Sequence, residues 1–130
     1  MNSESVSQDV TSEPGSGPQD IRFRFFAYAL RAIKLYQHLQ ARKDGAGWVL
    51  GKQYLRSACS IGANIEEAQA SESRADFVHK LGIAQKEARE SLYWLRLLSE
   101  SGIVRKSRVG QLMKETGELV SIRHNYCGEV

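Results

Sequence analysis

The sequence predicts an all-α fold, an antiparallel up-down four-helix bundle, and three observations carry that prediction. Both prolines, Pro14 and Pro18, lie in the first twenty residues, so about 110 residues run without one; that favours long helices over a turn-rich β fold. Apolar residues recur at three- and four-residue steps in four separate stretches. The stretches are joined by short connections, as neighbouring antiparallel helices require. At 130 residues, with 42% hydrophobic and 25% charged residues, the chain has the size and composition of one globular domain.

Residues 1–20 read as a disordered acidic tail, and 21–130 as the four-helix-bundle domain. The tail ends in SEPGSGPQD and holds Glu4, Asp9, Glu13 and Asp20 with no Lys or Arg, too little apolar surface to offset its chain entropy. The first helix is placed at about 21–43 on Phe26, Ala29, Leu30, Ile33 and Tyr36, and DGAG at 44–47 forms a turn. Leu55, Ala58, Cys59, Gly62 and Ile65 place the second helix at about 49–71. The third, about 74–101, carries a heptad-like seam of Phe77, Leu81, Ala84, Ala88, Leu95 and Leu98, with Gly102 as its C-terminal cap. Val109, Leu112, Met113, Thr116, Val120 and Tyr126 place the fourth at about 106–127. Tyr93, Trp94 and Leu97 fall outside the third helix's seam and are expected to contact another subunit, because aromatic anchors outside a core stripe mark interfaces.

The net charge of +3 divides unevenly. The tail carries −4, and beyond it eighteen Lys and Arg face eleven Asp and Glu, a net of +7. No apolar run approaches the ~20 residues of a membrane span, and the N-terminus shows no secretory pattern. Cys59 and Cys127 sit 68 positions apart with no CxxC around either, which fits two reduced thiols in a cytoplasmic protein. Sharing a stripe with Leu55 and Gly62, Cys59 is expected to be a buried structural thiol.

The second and third helices carry S-I-G-A-N-I at 60–65, with Glu66 and Glu67 following, and then D-F-V-H-K-L-G-I-A at 76–84. Ile61, Gly62, Asn64, Ile65, Asp76 and Phe77 are the motif positions. This pattern resembles the bacterial four-helix-bundle proteins encoded in intervening sequences of 23S rRNA genes, over about 105 of the 130 residues. The resemblance implies a small homopentamer with a basic surface and no established catalytic activity. It also implies a fold similar to the accessory variability proteins of diversity-generating retroelements, which are implicated in binding RNA or DNA and a reverse transcriptase. Two departures mark this chain: Gly62 and Ala68 stand where the family pattern carries Pro and often Gly. Arg105, Lys106, Ser107 and Arg108 open the fourth helix, where Ser and acidic residues are common.

Catalytic, cofactor-binding and metal-binding residues are all expected to be absent. A bundle-type di-iron site takes two Glu-x-x-His pairs and a carboxylate from each remaining helix. Here there is one loose match, Asp76-x-x-His79, and no acidic residue between Arg22 and Lys43. His38, His79 and His124 fall on three different helices. Neither a G-x-S-x-G elbow nor a P-loop pattern is present. Asn64 is expected to set register by reaching another helix or subunit, and Glu66 and Glu67 to pair with cations across helices.

The basic residues carry the functional expectation. Arg105, Lys106 and Arg108 sit at a helix start, where cations oppose the helix dipole, and such a broken local rule marks a functional surface. Arg22 and Arg24 open the first helix, and Lys52 and Arg56 lie near the start of the second. In an up-down bundle Lys52 and Arg56 are expected to meet Arg105, Lys106 and Arg108 at one end, repeated as a ring in a pentamer. The expected partners are RNA or DNA held through phosphate contacts, a second copy of the chain and, by the resemblance, a reverse transcriptase. The competing expectation is a protein-interaction scaffold that binds no nucleic acid.

Overall fold

The computed structural model describes the backbone of residues 18–127 and the side chains of residues 21–121. The acidic-tail prediction for residues 1–17, and those for His124, Tyr126 and Cys127 as side chains, lie outside the described residues. Four helices and no strand occupy the described chain: α1 (Pro18–Ala41), α2 (Gly45–Gln69), α3 (Arg74–Glu100) and α4 (Lys106–Cys127). They form an all-α four-helix bundle. The first helix starts three residues inside the expected tail, with Pro18 at its first position, where the missing N–H costs no helical bond.

Local chemistry fixes the ends. Asp44 caps α2, its carboxylate accepting from the Gly47 N–H at 3.1 Å, and Ser73 caps α3 by accepting from the Asp76 N–H at 3.1 Å, satisfying N–H groups that have no helical partner. Past the end of α3, Gly102 takes the left-handed conformation (φ 84°) that lets the chain turn into α4.

Cross-helix contacts descend one helix as they climb the next. Along α1 and α2, Arg22 meets Glu66 and Tyr36 meets Trp48. Between α2 and α3, Arg56 meets Glu90 and Lys80 meets Glu67. Between α1 and α4, Arg24 pairs with Glu118 and Arg31 with Glu115. Consecutive helices therefore pack side by side, α1 reaches α4 through long side chains, and α2 lies diagonally across from α4.

The core is lined by Phe25, Tyr28, Ala32 and Leu39 of α1, Tyr54, Ala58, Ile61 and Ile65 of α2, Leu81, Ala88, Leu95 and Leu98 of α3, and Val109, Leu112 and Leu119 of α4. Two predicted stripes are corrected here. On α1 the buried face is Ile21, Phe25, Tyr28, Ala32, Leu35 and Leu39, whereas Phe26, Leu30 and Ile33 are exposed. Both sets have three- and four-residue spacing, so spacing alone selects neither face. On α2, Cys59 is exposed rather than buried, because Ala58 and Ile61 hold the core side of that turn. Partial burial still pushes its thiol above the ordinary value.

A polar layer crosses the middle of this core. Tyr54 donates to the Tyr28 hydroxyl at 3.0 Å, Tyr28 bonds Thr116 Oγ1 at 2.6 Å, and Thr116 donates to the Leu112 carbonyl at 2.6 Å. Beside it Ser57 donates to the Tyr54 carbonyl at 3.1 Å and bonds Ser91 at 2.7 Å. One consistent set of proton positions satisfies every hydroxyl in the layer, and all four helices contribute. Gly62 faces the backbone of α1: a Cβ there would lie 3.3 Å from the Phe25 carbonyl oxygen.

Candidate nucleic-acid interface

The seven cations singled out by sequence separate into three groups. Arg22 faces Glu66 at 4.0 Å, Arg24 pairs with Glu118, and Arg56 pairs with Glu90 and lies 3.6 Å from Glu87. Their charge is spent on cross-helix pairing. Lys52 lies over the Trp48 ring, 4.6 Å from its centroid, a cation–π contact on the outside of α2. Arg105, Lys106 and Arg108 are exposed and make no ion pair among the described residues.

The expected meeting of Lys52 and Arg56 with the Arg105 group is not what the fold builds. Because α2 lies diagonally opposite α4, Arg56 turns to the carboxylates of α3. The start of α4 instead faces the end of α1. A cleft of about 860 Å³ opens there, lined by His38 of α1 and Arg42 just past its end, by Gly102–Arg105 of the connection and by Ser107 and Arg108 of α4. The Arg42 guanidinium donates to the Ile103 carbonyl, which ties the connection to α1 and holds the cleft's two sides together. Its lining side chains include three guanidiniums and no carboxylate, and no acidic residue lies in the first turn of α4. Desolvation, and then the charges of Arg108 and Arg42, push the His38 imidazole below its ordinary value, so it is neutral near pH 7.

The remaining predicted site residues separate in the same way. Trp94 is half-buried and donates its indole N–H to Glu90 at 3.0 Å. That bond, with Arg56 beside it, holds the Glu90 carboxyl below its ordinary range. Leu97 is half-buried too, so of the proposed interface trio only Tyr93 stands out, at 54% exposure. It lines a shallow groove with Leu92, Gly117 and Val120, flanked by Arg89 and Arg96. The larger apolar surface went unseen in the sequence: Phe23, Phe26, Leu30 and Ile33, 63% exposed at Phe26 and 47% at Leu30, form one stripe on the outer side of α1.

Among the motif residues, Ile61 and Ile65 are core, Phe77 packs on the core and Asp76 lies in the capped first turn of α3. The Asn64 amide does not cross to another helix. It bonds the Ser60 carbonyl at 2.9 Å and the Ser60 hydroxyl at 3.2 Å, one turn back on α2. Glu66 and Glu67 do pair across helices, with Arg22 and Lys80. Among the described residues no three His, Cys, Asp or Glu gather as metal ligands do, and no helix is long and apolar enough to cross a membrane.

Fold and site together define a small helical bundle with a carboxylate-free basic cleft at one end. The chain belongs to the 23S rRNA-intervening sequence protein family, whose model matches residues 22–125. Its structure is similar to a crystal structure from Bacteroides thetaiotaomicron described as a protein of unknown function from the S23 ribosomal protein family. The TM-score is 0.74 at 37% sequence identity, covering 81% of this chain and 95% of that one. No curated protein matches the chain.

Proposed function

We propose that this protein is a non-enzymatic homo-oligomeric bundle that binds RNA or DNA through phosphate contacts. The observation that carries the reading is the cleft of Arg42, Arg105 and Arg108, basic side chains from two segments with no lining carboxylate. Guanidinium forks match phosphate oxygens bidentately, and phosphate contacts give affinity without base readout. Fluorescence anisotropy with a labelled single-stranded RNA at low salt tests it. Arg42→Gln/Arg105→Gln/Arg108→Gln is expected to lose most of the binding, while Arg22→Gln/Arg24→Gln, which removes paired cations, keeps it. If the wild-type chain binds neither RNA nor DNA at low salt, the protein-scaffold reading replaces this one.

Self-association is carried by a separate observation. The stripe of Phe23, Phe26, Leu30 and Ile33 lies on the face of α1 opposite Phe25, Tyr28 and Ala32, and contiguous exposed apolar residues mark contact surfaces. A second copy of the chain covers it in this reading. By light scattering the wild type is expected above the 14.6 kDa of one chain, and Phe26→Glu/Leu30→Glu at that mass. A wild-type monomer removes the homo-oligomer from the reading.

A further inference from the structure

We propose that the cleft between the end of α1 and the start of α4 is a receptor for a terminal phosphomonoester of a nucleic acid, in preference to the phosphodiesters along its strand. This rests on the phosphate-binding reading above and narrows it. The cations of the cleft are gathered rather than strung out. Arg42, Arg105 and Arg108 line one concavity with His38 and Ser107; along the helix sides Arg22, Arg24, Arg31 and Arg56 each face a carboxylate, and cations there without an ion pair among the described residues, such as Arg74 and Arg89, do not line this concavity. A strand followed by its diesters calls for a basic track; these cations mark a point.

The charge at that point suits a dianion. A diester presents one negative charge and two non-bridging oxygens. A monoester end carries between one and two charges at pH 7 on three acceptor oxygens, one for each guanidinium. The three arginines share one sign of charge, Arg108 and Arg42 oppose a further charge on His38, and the first turn of α4 offers no acidic residue to relieve them. A phosphate placed between them cancels repulsion already present in the fold, and it lies near the positive end of the α4 dipole. The Arg42 bond to the Ile103 carbonyl fixes one guanidinium across the connection before any ligand arrives, so less ordering is left to be done on binding.

The experiment uses the full chain and one labelled single-stranded RNA prepared with a 5′-phosphate and with a 5′-hydroxyl. The phosphorylated RNA is expected to bind roughly tenfold tighter or better, as one added charge-assisted contact implies. Arg105→Gln/Arg108→Gln, at two exposed positions that leave the core intact, is expected to abolish the difference, and Arg22→Gln/Arg24→Gln, at paired cations outside the cleft, to keep it. Equal affinity for the two RNAs overturns the end preference while leaving general phosphate binding in place. No binding of either RNA at low salt overturns both. Displacement of the phosphorylated RNA by an equal concentration of a nucleoside 5′-monophosphate would assign the cleft to small phosphates and overturn the nucleic-acid end as its ligand.

Discussion

Replacing Tyr28 by Phe removes one oxygen from the centre of the buried polar layer, and the consequences can be followed atom by atom. The Tyr54 hydroxyl loses its acceptor at 3.0 Å and becomes a buried donor with no partner, while Thr116 loses one bond but keeps its own to the Leu112 carbonyl. Two buried hydrogen bonds are worth about 1 kcal/mol each, and a stranded buried hydroxyl costs about 1–3 kcal/mol, with overlap between these figures. The expected loss is about 2–4 kcal/mol, which for a domain of this size lowers Tm by roughly 8–15 °C. Tyr54→Phe leaves Tyr28 bonded to Thr116 and is expected to cost about 1 kcal/mol. The double variant strands no donor, so it should cost at least about 1 kcal/mol less than the sum of the two. Urea unfolding at one fixed protein concentration, followed by circular dichroism, measures all three variants; fixing the concentration keeps self-association constant. A Tyr28→Phe loss below about 0.5 kcal/mol, or additive single losses, would refute the hydroxyl chain as drawn.

Two glycines make a paired prediction. A Cβ at Gly82, inside α3, meets nothing within 4 Å, whereas one at Gly62 meets the Phe25 carbonyl at 3.3 Å; Gly82→Ala should therefore stabilise by about 0.5–1 kcal/mol and Gly62→Ala should show no such gain. Burial pushes the Tyr28 and Tyr54 hydroxyls above the ordinary phenol value. Above pH ~10 the unfolded chain loses phenolic protons that the folded one keeps. Stability is thus full below that pH and falls as pH rises through it, measured as Tm against pH, with a shallower fall in Tyr28→Phe/Tyr54→Phe. Removing a neighbouring charge with Arg108→Gln should raise the His38 pKa toward the ordinary imidazole value, read by NMR titration; no movement would separate Arg108 from His38.

The helices were legible in the sequence because their signals are local. Absence of proline and Gly102 after α3 act within a few residues, and the α4 bounds agree at both ends; the start of α2 was less legible, since DGAG at 44–47 reads as a turn whereas Asp44 caps a helix that begins at Gly45. The buried side of α1 was not legible, because that helix is apolar on two opposite faces and either Phe25–Tyr28–Ala32 or Phe26–Leu30–Ile33 satisfies a helical period. The site was half legible. Arg105, Lys106 and Arg108 stood out by opposing the α4 dipole, but their neighbours depend on which helices touch. His38 lies in the last turn of α1 and Arg42 just past it, where cations suit the dipole and raise no flag. The tyrosine layer carried no pattern of its own: Tyr28 and Tyr54 read as apolar until their hydroxyls are placed beside Thr116.

Phosphate binding by the cleft stands or falls on the salt dependence of RNA affinity. For a single strand the logarithm of affinity falls with the logarithm of salt by about 0.7 for each phosphate neutralised, so three guanidiniums account for a slope of roughly −2 per chain. Titrating the wild type and Arg42→Gln/Arg105→Gln/Arg108→Gln against the same RNA across a salt series should show the variant's slope shallower by about that amount. Equal slopes would contradict a cleft that holds phosphate and would move the contacts to other surfaces of the bundle.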